Sequence, residues 1–380
     1  MVRQGVAQVN PGGSRLPVPV KRDDGWAVLG GSANRLWERG NFGRPIRDGV
    51  ILSAAEILNA HRLRGLPLPH DDWLSDTLES HPNLLLESEA LGALRYPGEK
   101  FVLSQNLSAA NAVLMDEDSW GLRWPRDAKP NEGEPVAEVR WMRARDEIDW
   151  NALARWTANV ESGGRIPEIL IVDDEHGVVT YRTRHHDPKG TLANPFRELE
   201  NEGRRKVAHA WTAGRETSGG FWLHIQSGDW PLDGIGINLE GGIWIDNLEA
   251  RIISRIINPT MSRPDGKEGA FVHILEDLMS RGLSIRPGFK YGTRWRVYDG
   301  RIGDGHAPWL IVPDIEAPTD WAEACLSARL AAGVNKFWLC ALPPKTVGGP
   351  TDARPGAGGW RFLALERPPS DARWTNPIRH

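Results

Sequence analysis

Cysteine is scarce in this sequence of 380 residues. The only two, Cys325 and Cys340, are too few for a disulfide framework, and both lie in apolar surroundings. We therefore predict that they are small buried side chains in a reducing compartment. The length suggests two or three domains and is ample for buried cores without covalent cross-links.

Long apolar runs and nucleotide-binding loops are also missing. No run of about 18 apolar residues occurs, which argues against a membrane-spanning helix. Residues 1–22 contain no apolar segment of signal-peptide length, so we expect a cytoplasmic protein. No Gly-x-x-x-x-Gly-Lys-Ser/Thr loop is present, so the sequence gives no support for nucleotide hydrolysis.

Neither sign of charge dominates, since the formal net charge is −4. Residues 281–301 are a local exception, with six basic residues and one acid, Asp299. A basic face of this kind is typical of nucleic-acid enzymes, although it also occurs as a solvated surface. The 18 tryptophans can stack on bases, but most large aromatic residues belong to cores.

The order of predicted elements is similar in the two halves of the chain. In the first half, residues 26–64 and 74–95 have helical patterns, 120–135 reads as a loop, and Ser53-Ala54-Ala55-Glu56 predicts a capping box. The later patterns predict helices at 148–159, 248–257, 269–281 and 321–332, and strands at 166–172, 178–182, 294–298, 309–312, 336–342 and 360–366. We infer a weak internal duplication and an α/β fold of two tandem units.

The most informative segment is 286–298, Arg-Pro-Gly-Phe-Lys-Tyr-Gly-Thr-Arg-Trp-Arg-Val-Tyr. His306 follows just before a predicted strand, and Lys336 starts another. This order resembles the catalytic domain of archaeal tRNA splicing endonucleases. Their signature is a Gly-Phe/Leu-Lys-Phe/Tyr-Gly turn, a strand ending in Arg-Val-Tyr, a His before the next strand and a Lys after a helix. The resemblance is close over residues 270–342 and weaker over 36–183.

These three residue types suit RNA cleavage without a metal. The reaction needs a base for the 2′-hydroxyl, an acid for the 5′-oxygen and a cation beside the phosphorane. The resemblance implies that Tyr298 is the base, His306 the acid and Lys336 the cation, giving a 2′,3′-cyclic phosphate and a 5′-hydroxyl. Because tyrosine is ordinarily protonated at neutral pH, we hypothesise that Lys336 and the nearby arginines favour the phenolate.

Five further cations are predicted to bind RNA. In relatives, two arginines sandwich a flipped-out bulge base, and the resemblance assigns these roles to Arg329 and Arg367. Arg329 is alternatively a helix-surface charge, and the loop at 343–359 leaves the register of Arg367 open. Lys290, Arg294 and Arg296, from the basic stretch, complete the set.

The first half lacks this chemistry and has an acidic turn instead. We place Ser104 where Tyr298 stands, and we expect a non-catalytic copy. The resemblance implies that Asp173, Asp174 and Glu175 insert into a basic pocket beside the active site of a partner copy, making a homodimer. The alternative is an ordinary exposed β-turn. A three-unit assembly is a further alternative, but it would place the catalytic unit in the middle.

The resemblance thus implies two units, each an N-terminal α/β subdomain followed by a nuclease-like domain with a mixed sheet flanked by helices. The predicted segments are a flexible tail (1–22), the first N-terminal subdomain (23–85), a degenerate nuclease-like domain (86–190), the second N-terminal subdomain (191–262) and the catalytic nuclease domain (263–380). The expected substrate is precursor tRNA, cut at both splice sites of a bulge-helix-bulge motif recognised by shape and backbone.

Two alternatives belong to other classes. One is a structural subunit that needs a separate catalytic partner. The other is a metal-dependent DNA nuclease, which would need clustered carboxylates near a lysine. We expect neither a cofactor nor a metal, because His185-His186-Asp187 lacks third and fourth ligands and reads as a polar linker.

Overall fold

The computed structural model describes residues 16–130, 132–344 and 359–375. They fall into two compact units. The first unit comprises the described parts of Met1–Asp146, Asn159–Tyr181 and Pro368–His380, and the second comprises those of Glu147–Ala158 and Arg182–Arg367. The predicted segment boundaries follow a different division and stay predictions. The loop predicted at 343–359 lies mostly outside the described residues.

The first unit contains two sheets with helices. Its strands are β1 (Val20–Arg22), β2 (Gly25–Leu29), β3 (Arg44–Ile46), β4 (Gly49–Leu52), β5 (Lys100–Leu103), β6 (Gly121–Trp124), β7 (Ala137–Arg143) and β8 (Ile166–Val172). Its helices are α1 (Asn34–Gly40), α2 (Ala54–Arg64), α3 (Trp73–Ser80), α4 (Leu84–Arg95) and α5 (Ala109–Ala112). Two elements have residues in both units, α6 (Trp150–Ser162) and β9 (Val178–His186).

Several predictions for this part of the chain are wrong. Residues 26–64 are not helical throughout, because they include most of β2 and all of β3 and β4. All four residues of β4 are buried, so the alternation that marks a strand is missing. The predicted tail contains β1, which pairs with β2, and its residues 1–15 lie outside the described residues. The predicted loop at 120–135 contains β6.

The predicted capping box at the start of α2 is confirmed. The Ser53 hydroxyl accepts a hydrogen bond from the Glu56 backbone N–H (3.2 Å), and Glu56 accepts one from the Ser53 N–H (3.1 Å). The buried Glu56 carboxylate also accepts from the Gly43 N–H (2.8 Å) and from Arg95 (2.8 Å). Glu56 therefore ties the helix start to the small sheet of this unit.

The second unit again begins with a small sheet and helices. Its helices are α7 (Asn201–Thr212), α8 (Asn247–Ile257), α9 (Gly266–Ser280) and α10 (Trp321–Gly333). Its strands are β10 (Arg215–Thr217), β11 (Gly220–Leu223), β12 (Ile237–Leu239), β13 (Gly242–Asp246), β14 (Ser284–Pro287), β15 (Trp295–Tyr298), β16 (Trp309–Pro313), β17 (Phe337–Leu342) and β18 (Arg361–Glu366). The predictions match six of these elements within two residues, namely α8, α10, β15, β16, β17 and β18. Helix α9 begins three residues earlier than predicted, and α7, β10 and β14 were not predicted.

The same pairing pattern occurs in both units, and the fold is mixed α/β as predicted. In the second unit β14, β15 and β16 are antiparallel neighbours, and β17 runs parallel to β16. In the first unit β5, β6 and β7 are antiparallel neighbours, and β8 runs parallel to β7. Parallel neighbours need a crossover, which α10 and α6 provide along the chain. The small sheets also share one strand order.

The second unit's large sheet lies over a core built partly from α8 and α9. Ile253, Leu275, Ile311 and Leu339 are fully or almost fully buried in this core. Both cysteines are buried, as predicted, and burial raises the pKa of the Cys340 thiol. The sheet is thus a rigid platform, and its strand ends carry the residues of the next subsection.

Candidate active site

Tyr298, His306 and Lys336 lie at one edge of the second unit's sheet. Tyr298 is the last residue of β15, which runs antiparallel to β16. His306 lies three residues before β16, and Lys336 lies immediately before β17. Because β17 is parallel to β16, these two strands start at the edge where β15 ends. The structure therefore brings the three residues named from the sequence to the same edge.

The backbone and side chain of Lys336 are both held in place. Its N–H donates to the Ala331 carbonyl (3.0 Å), and the next N–H, of Phe337, donates to the Pro308 carbonyl (2.9 Å). Asn335 has a left-handed backbone with φ of 54°, which turns the chain between α10 and β17. The Lys336 ammonium donates to the carbonyl of Ala307, the residue after His306. The ammonium therefore lies beside the His306 segment.

Tyr298 and His306 differ in their access to solvent. Tyr298 is only 8% exposed, whereas His306 is exposed. The Arg296 guanidinium carbon lies 5.9 Å from the centre of the Tyr298 ring. The Tyr298 ring is thus mostly buried beside a cation, whereas the His306 imidazole is open to solvent.

The turn at 288–292, Gly-Phe-Lys-Tyr-Gly, has a physical need for both glycines. Gly292 has φ of 64°, which favours glycine. A Cβ on Gly288 would lie 2.4 Å from the Thr293 Oγ1 and 2.7 Å from the Thr293 carbonyl oxygen. Two backbone hydrogen bonds close the turn, from Gly288 N–H to Arg294 (2.9 Å) and from Tyr291 N–H to Gly288 (2.8 Å). The motif therefore describes a tight, hydrogen-bonded turn.

Most of the basic stretch is neutralised inside the second unit. The ion pairs are Arg281 with Asp277 and Asp187, Arg286 with Glu249, Arg294 with Glu316, and Arg301 with Asp233. Lys290 and Arg296 form no ion pair within the described ranges. Arg294 also lies over the Phe271 ring, 4.5 Å from its centre. Three cations of this stretch were predicted to bind RNA. Of these, Arg294 is the one whose charge is already neutralised by an ion pair, with Glu316.

The two arginines predicted to hold a base differ in their surroundings. Arg367, directly after β18, lines a cavity of about 310 Å³ together with Lys336 and Phe337. Arg329 is exposed on α10, and its neighbour Ala328, rather than Arg329, lines the cavity. The cavity places Arg367 close to Lys336, at the edge that carries the three candidate residues.

The first unit has different residues at the corresponding strand ends, and Ser104 is not the counterpart of Tyr298. Ser104 follows β5, the first strand, whereas the second strand is the unpredicted β6, which ends at Trp124. Arg165 precedes β8 as Lys336 precedes β17. Its guanidinium Nε donates to the buried Glu138 carboxylate (2.8 Å), so its charge is compensated.

The acidic turn joins β8 to β9. The Asp173 carboxylate accepts hydrogen bonds from the N–H groups of Glu175 (3.0 Å) and Gly177 (2.7 Å), so it stabilises the turn itself. Asp174 forms an exposed ion pair with Arg145 (3.4 Å). Glu175 is exposed and forms no ion pair with a described residue. Asp173 therefore stabilises the turn, and Glu175 is the acid of the turn that is most accessible to a binding partner.

The described residues contain no group of three or more His, Cys, Asp or Glu placed to hold a metal ion. His186 accepts a hydrogen bond at Nε2 from the Trp309 indole N–H (2.8 Å), and burial lowers its pKa. Asp187 pairs with Arg281 and Lys189. None of the described helices combines the length and the hydrophobicity that a membrane span requires.

Sequence reasoning missed two residues of this region. Tyr291 lies within the motif, but only the fold brings the centre of its ring within 5.6 Å of the Lys336 Nζ, so its role could not be predicted from the sequence. Glu316, which neutralises Arg294, lies 22 residues further along the chain. No local pattern links an arginine to a carboxylate at that separation, so only the fold could identify the pair.

Comparison with known proteins relates part of the second unit to a described enzyme domain. The family model described as "tRNA intron endonuclease, catalytic C-terminal domain" matches residues 272–347. A tRNA-splicing endonuclease from Methanosarcina mazei is 23% identical over 69% of this chain and 76% of its own length. One from Methanosarcina acetivorans is 21% identical over 72% and 80%, and one from Thermoplasma volcanium is 39% identical over 19% and 25%.

The match at residues 272–347 contains the whole motif with Tyr298, His306 and Lys336, and the two Methanosarcina enzymes align with most of the chain. The catalytic domain therefore belongs to the second unit, where the strand ends carry these residues. The chain is thus an enzyme similar to tRNA-splicing endonucleases over most of its length, and its residues 272–347 match the catalytic domain of the tRNA intron endonuclease family.

Proposed function

We propose that this enzyme removes introns from precursor tRNA by cutting both splice sites of a bulge-helix-bulge motif. Tyr298 takes the proton of the 2′-hydroxyl, whose oxygen attacks the adjacent phosphorus. His306 protonates the 5′-oxygen as the phosphorus–oxygen bond breaks, and Lys336 stabilises the charge on the phosphorane. The products are a 2′,3′-cyclic phosphate and a 5′-hydroxyl. The observation that carries this proposal is the meeting of the three residues at one sheet edge.

RNA binding is assigned to the cations that remain available. We propose that Arg367 contacts a base flipped out of a bulge in the cavity beside Lys336, and that Arg329 covers it from α10. Lys290 and Arg296 contact the phosphate backbone. Arg294 contributes less, because Glu316 already neutralises it.

The first unit is proposed to be non-catalytic and to serve assembly. Its strand ends carry Trp124 and an ion-paired Arg165 where the second unit has Tyr298 and Lys336. The acidic turn would dock against the catalytic unit of a second chain, mainly through Asp174 and Glu175. Two chains would then hold two active sites at a fixed separation, as two bulges flanking a short helix require.

The test is cleavage of an intron-containing precursor tRNA by the purified chain in excess EDTA. Two cuts are expected, with cyclic phosphates and kinase-labelled 5′-hydroxyls at the new ends. Cleavage that needs a divalent metal would contradict the mechanism and favour the metal-dependent nuclease. Cleavage that needs a second protein would show that this chain is a structural subunit.

A further inference from the structure

The ammonium of Lys336 has an aromatic neighbour that the proposed mechanism does not use. Its Nζ lies 5.6 Å from the centre of the Tyr291 ring, on the turn at 288–292. The same Nζ also donates to the Ala307 carbonyl. One hydrogen bond and one ring thus occupy only part of the ammonium's surroundings.

A lysine needs such neighbours to act at a fixed point. Its ammonium is a compact charge on a flexible four-carbon stem, and many rotamers are open to it. The negative face of an aromatic ring attracts a cation within about 6 Å. The Tyr291 ring and the Ala307 carbonyl therefore both restrict the ammonium. The ammonium has three N–H donors, so those that Ala307 does not take are left for a phosphorane oxygen.

The Tyr291 ring is itself positioned by rigid backbone. The Tyr291 N–H donates to the Gly288 carbonyl (2.8 Å), and Gly292 continues the chain in a left-handed conformation. The turn is closed against Arg294, just before β15, whose last residue is Tyr298. One turn therefore connects the strand that carries Tyr298 to the cation proposed to act beside it.

We infer that Tyr291 is a positioning residue for Lys336, acting through the face of its ring. The inference rests on the proposed function, since it assigns Tyr291 a part in placing the transition-state cation. The contact joins the ammonium to the ring, so phenylalanine can replace tyrosine, whereas an aliphatic side chain cannot. The proton transfers stay with Tyr298 and His306.

The test is a double-mutant cycle of Tyr291→Leu and Lys336→Ala, read by single-turnover cleavage of precursor tRNA. Tyr291→Leu is expected to lower the maximal rate roughly 3- to 30-fold, the range of one cation–π contact, with little change in the RNA concentration at half-saturation. Tyr291→Phe should stay within about twofold of the wild-type rate. In the Lys336→Ala background, Tyr291→Leu should cause no further loss.

Tyr96→Leu is the matched control, because Tyr96 is 63% exposed in the first unit and the chemical change is the same. If Tyr291→Leu lowers the melting temperature, Tyr291→Met replaces it in the double-mutant cycle, because the longer methionine side chain fills more of the space left by the ring. The inference would be overturned if Tyr291→Leu lowered the rate by the same factor with Lys336 present and in the Lys336→Ala protein. It would also be overturned if Tyr291→Phe lowered the rate as much as Tyr291→Leu does. A wild-type rate for Lys336→Ala would instead contradict the proposed function, so the two failures are distinguishable.

Discussion

Among single residues, the buried pair of Glu249 and Arg286 links the small sheet of the second unit to the catalytic motif. The Glu249 carboxylate accepts hydrogen bonds from Gly236 N–H (2.9 Å), Asp246 N–H (3.2 Å) and Arg286 (3.0 Å). Burial raises the pKa of Glu249 to about 7, although Arg286 opposes this rise. Burial likewise lowers the pKa of Arg286. Burial removes water from both side chains, so the formation of this pair costs solvation free energy.

This pair predicts a specific pH dependence of stability. Between the ordinary carboxyl value of 4.5 and about 7, the folded protein keeps a proton on Glu249 that the unfolded chain has released. Folding therefore binds protons in this window, and the Glu249 contribution to the unfolding free energy falls as pH rises, by on the order of 2–3 kcal/mol. Urea unfolding between pH 4.5 and 7.5 measures it. The fall should be smaller in Glu249→Gln, and an identical pH profile in the two proteins would contradict the assignment.

The ion pairs of the basic residues predict which cations contribute to RNA affinity. Arg296→Gln is expected to weaken RNA binding and to reduce the salt dependence of the affinity by about one phosphate contact. Arg301→Gln is the matched control, because Arg301 is paired with Asp233 (3.0 Å). RNA binding measured at several salt concentrations checks this. A larger effect for Arg301→Gln would show that the ion pairs open on binding.

For single residues, the sequence identified the three candidate catalytic side chains, but it could not show which arginines are already ion-paired. The order of Tyr298, His306 and Lys336 is a chain property, so it could be identified without a fold. Whether an arginine is free depends on distant carboxylates such as Glu316 and Glu249. Long-range pairing of this kind leaves no local pattern, so the sequence could not separate Arg294 from Arg296.

The element that positions the site most directly is the turn at 288–292. Gly288→Ala would place a Cβ within 2.4 Å of Thr293 Oγ1, so the turn must shift. We expect a loss of about 1–3 kcal/mol in unfolding free energy and a lower cleavage rate, since Tyr291 moves with the turn. Gly333→Ala, where a Cβ would meet nothing within 4 Å, is the control. Unchanged melting and activity for Gly288→Ala would show that this close approach is unimportant.

Three helices with regular apolar positions were predicted well, whereas two short strands that are buried throughout were missed. The helices α8, α9 and α10 carry regular apolar positions and clear ends, so their bounds were close. The four-residue strands β4 and β6 are buried throughout and show no alternation. Missing β6 had a direct consequence, because it moved the expected counterpart of Tyr298 to Ser104. An error in one strand thus became an error in one site residue.

For the whole molecule, we expect a homodimer held partly by the acidic turn. Asp174→Lys with Glu175→Lys is expected to weaken dimerisation and to lower cleavage, since two like charges replace the docking acids. Light scattering after size-exclusion chromatography measures the mass. Asp71→Lys with Asp72→Lys, a pair of exposed acids elsewhere in the first unit, is the control. A wild-type protein that is monomeric at all concentrations would contradict this assembly.

We propose that catalysis takes place at the sheet edge of the second unit, where Tyr298, His306 and Lys336 lie. The most direct measurement compares the single-turnover cleavage of precursor tRNA in EDTA by His306→Ala and by His70→Ala, which changes an exposed histidine of the first unit. General acid catalysis contributes about 10²- to 10⁴-fold, so His306→Ala should lose at least about 100-fold while His70→Ala keeps the wild-type rate. Equal rates for His306→Ala and the wild type would contradict the account, because the proposed acid would then be dispensable.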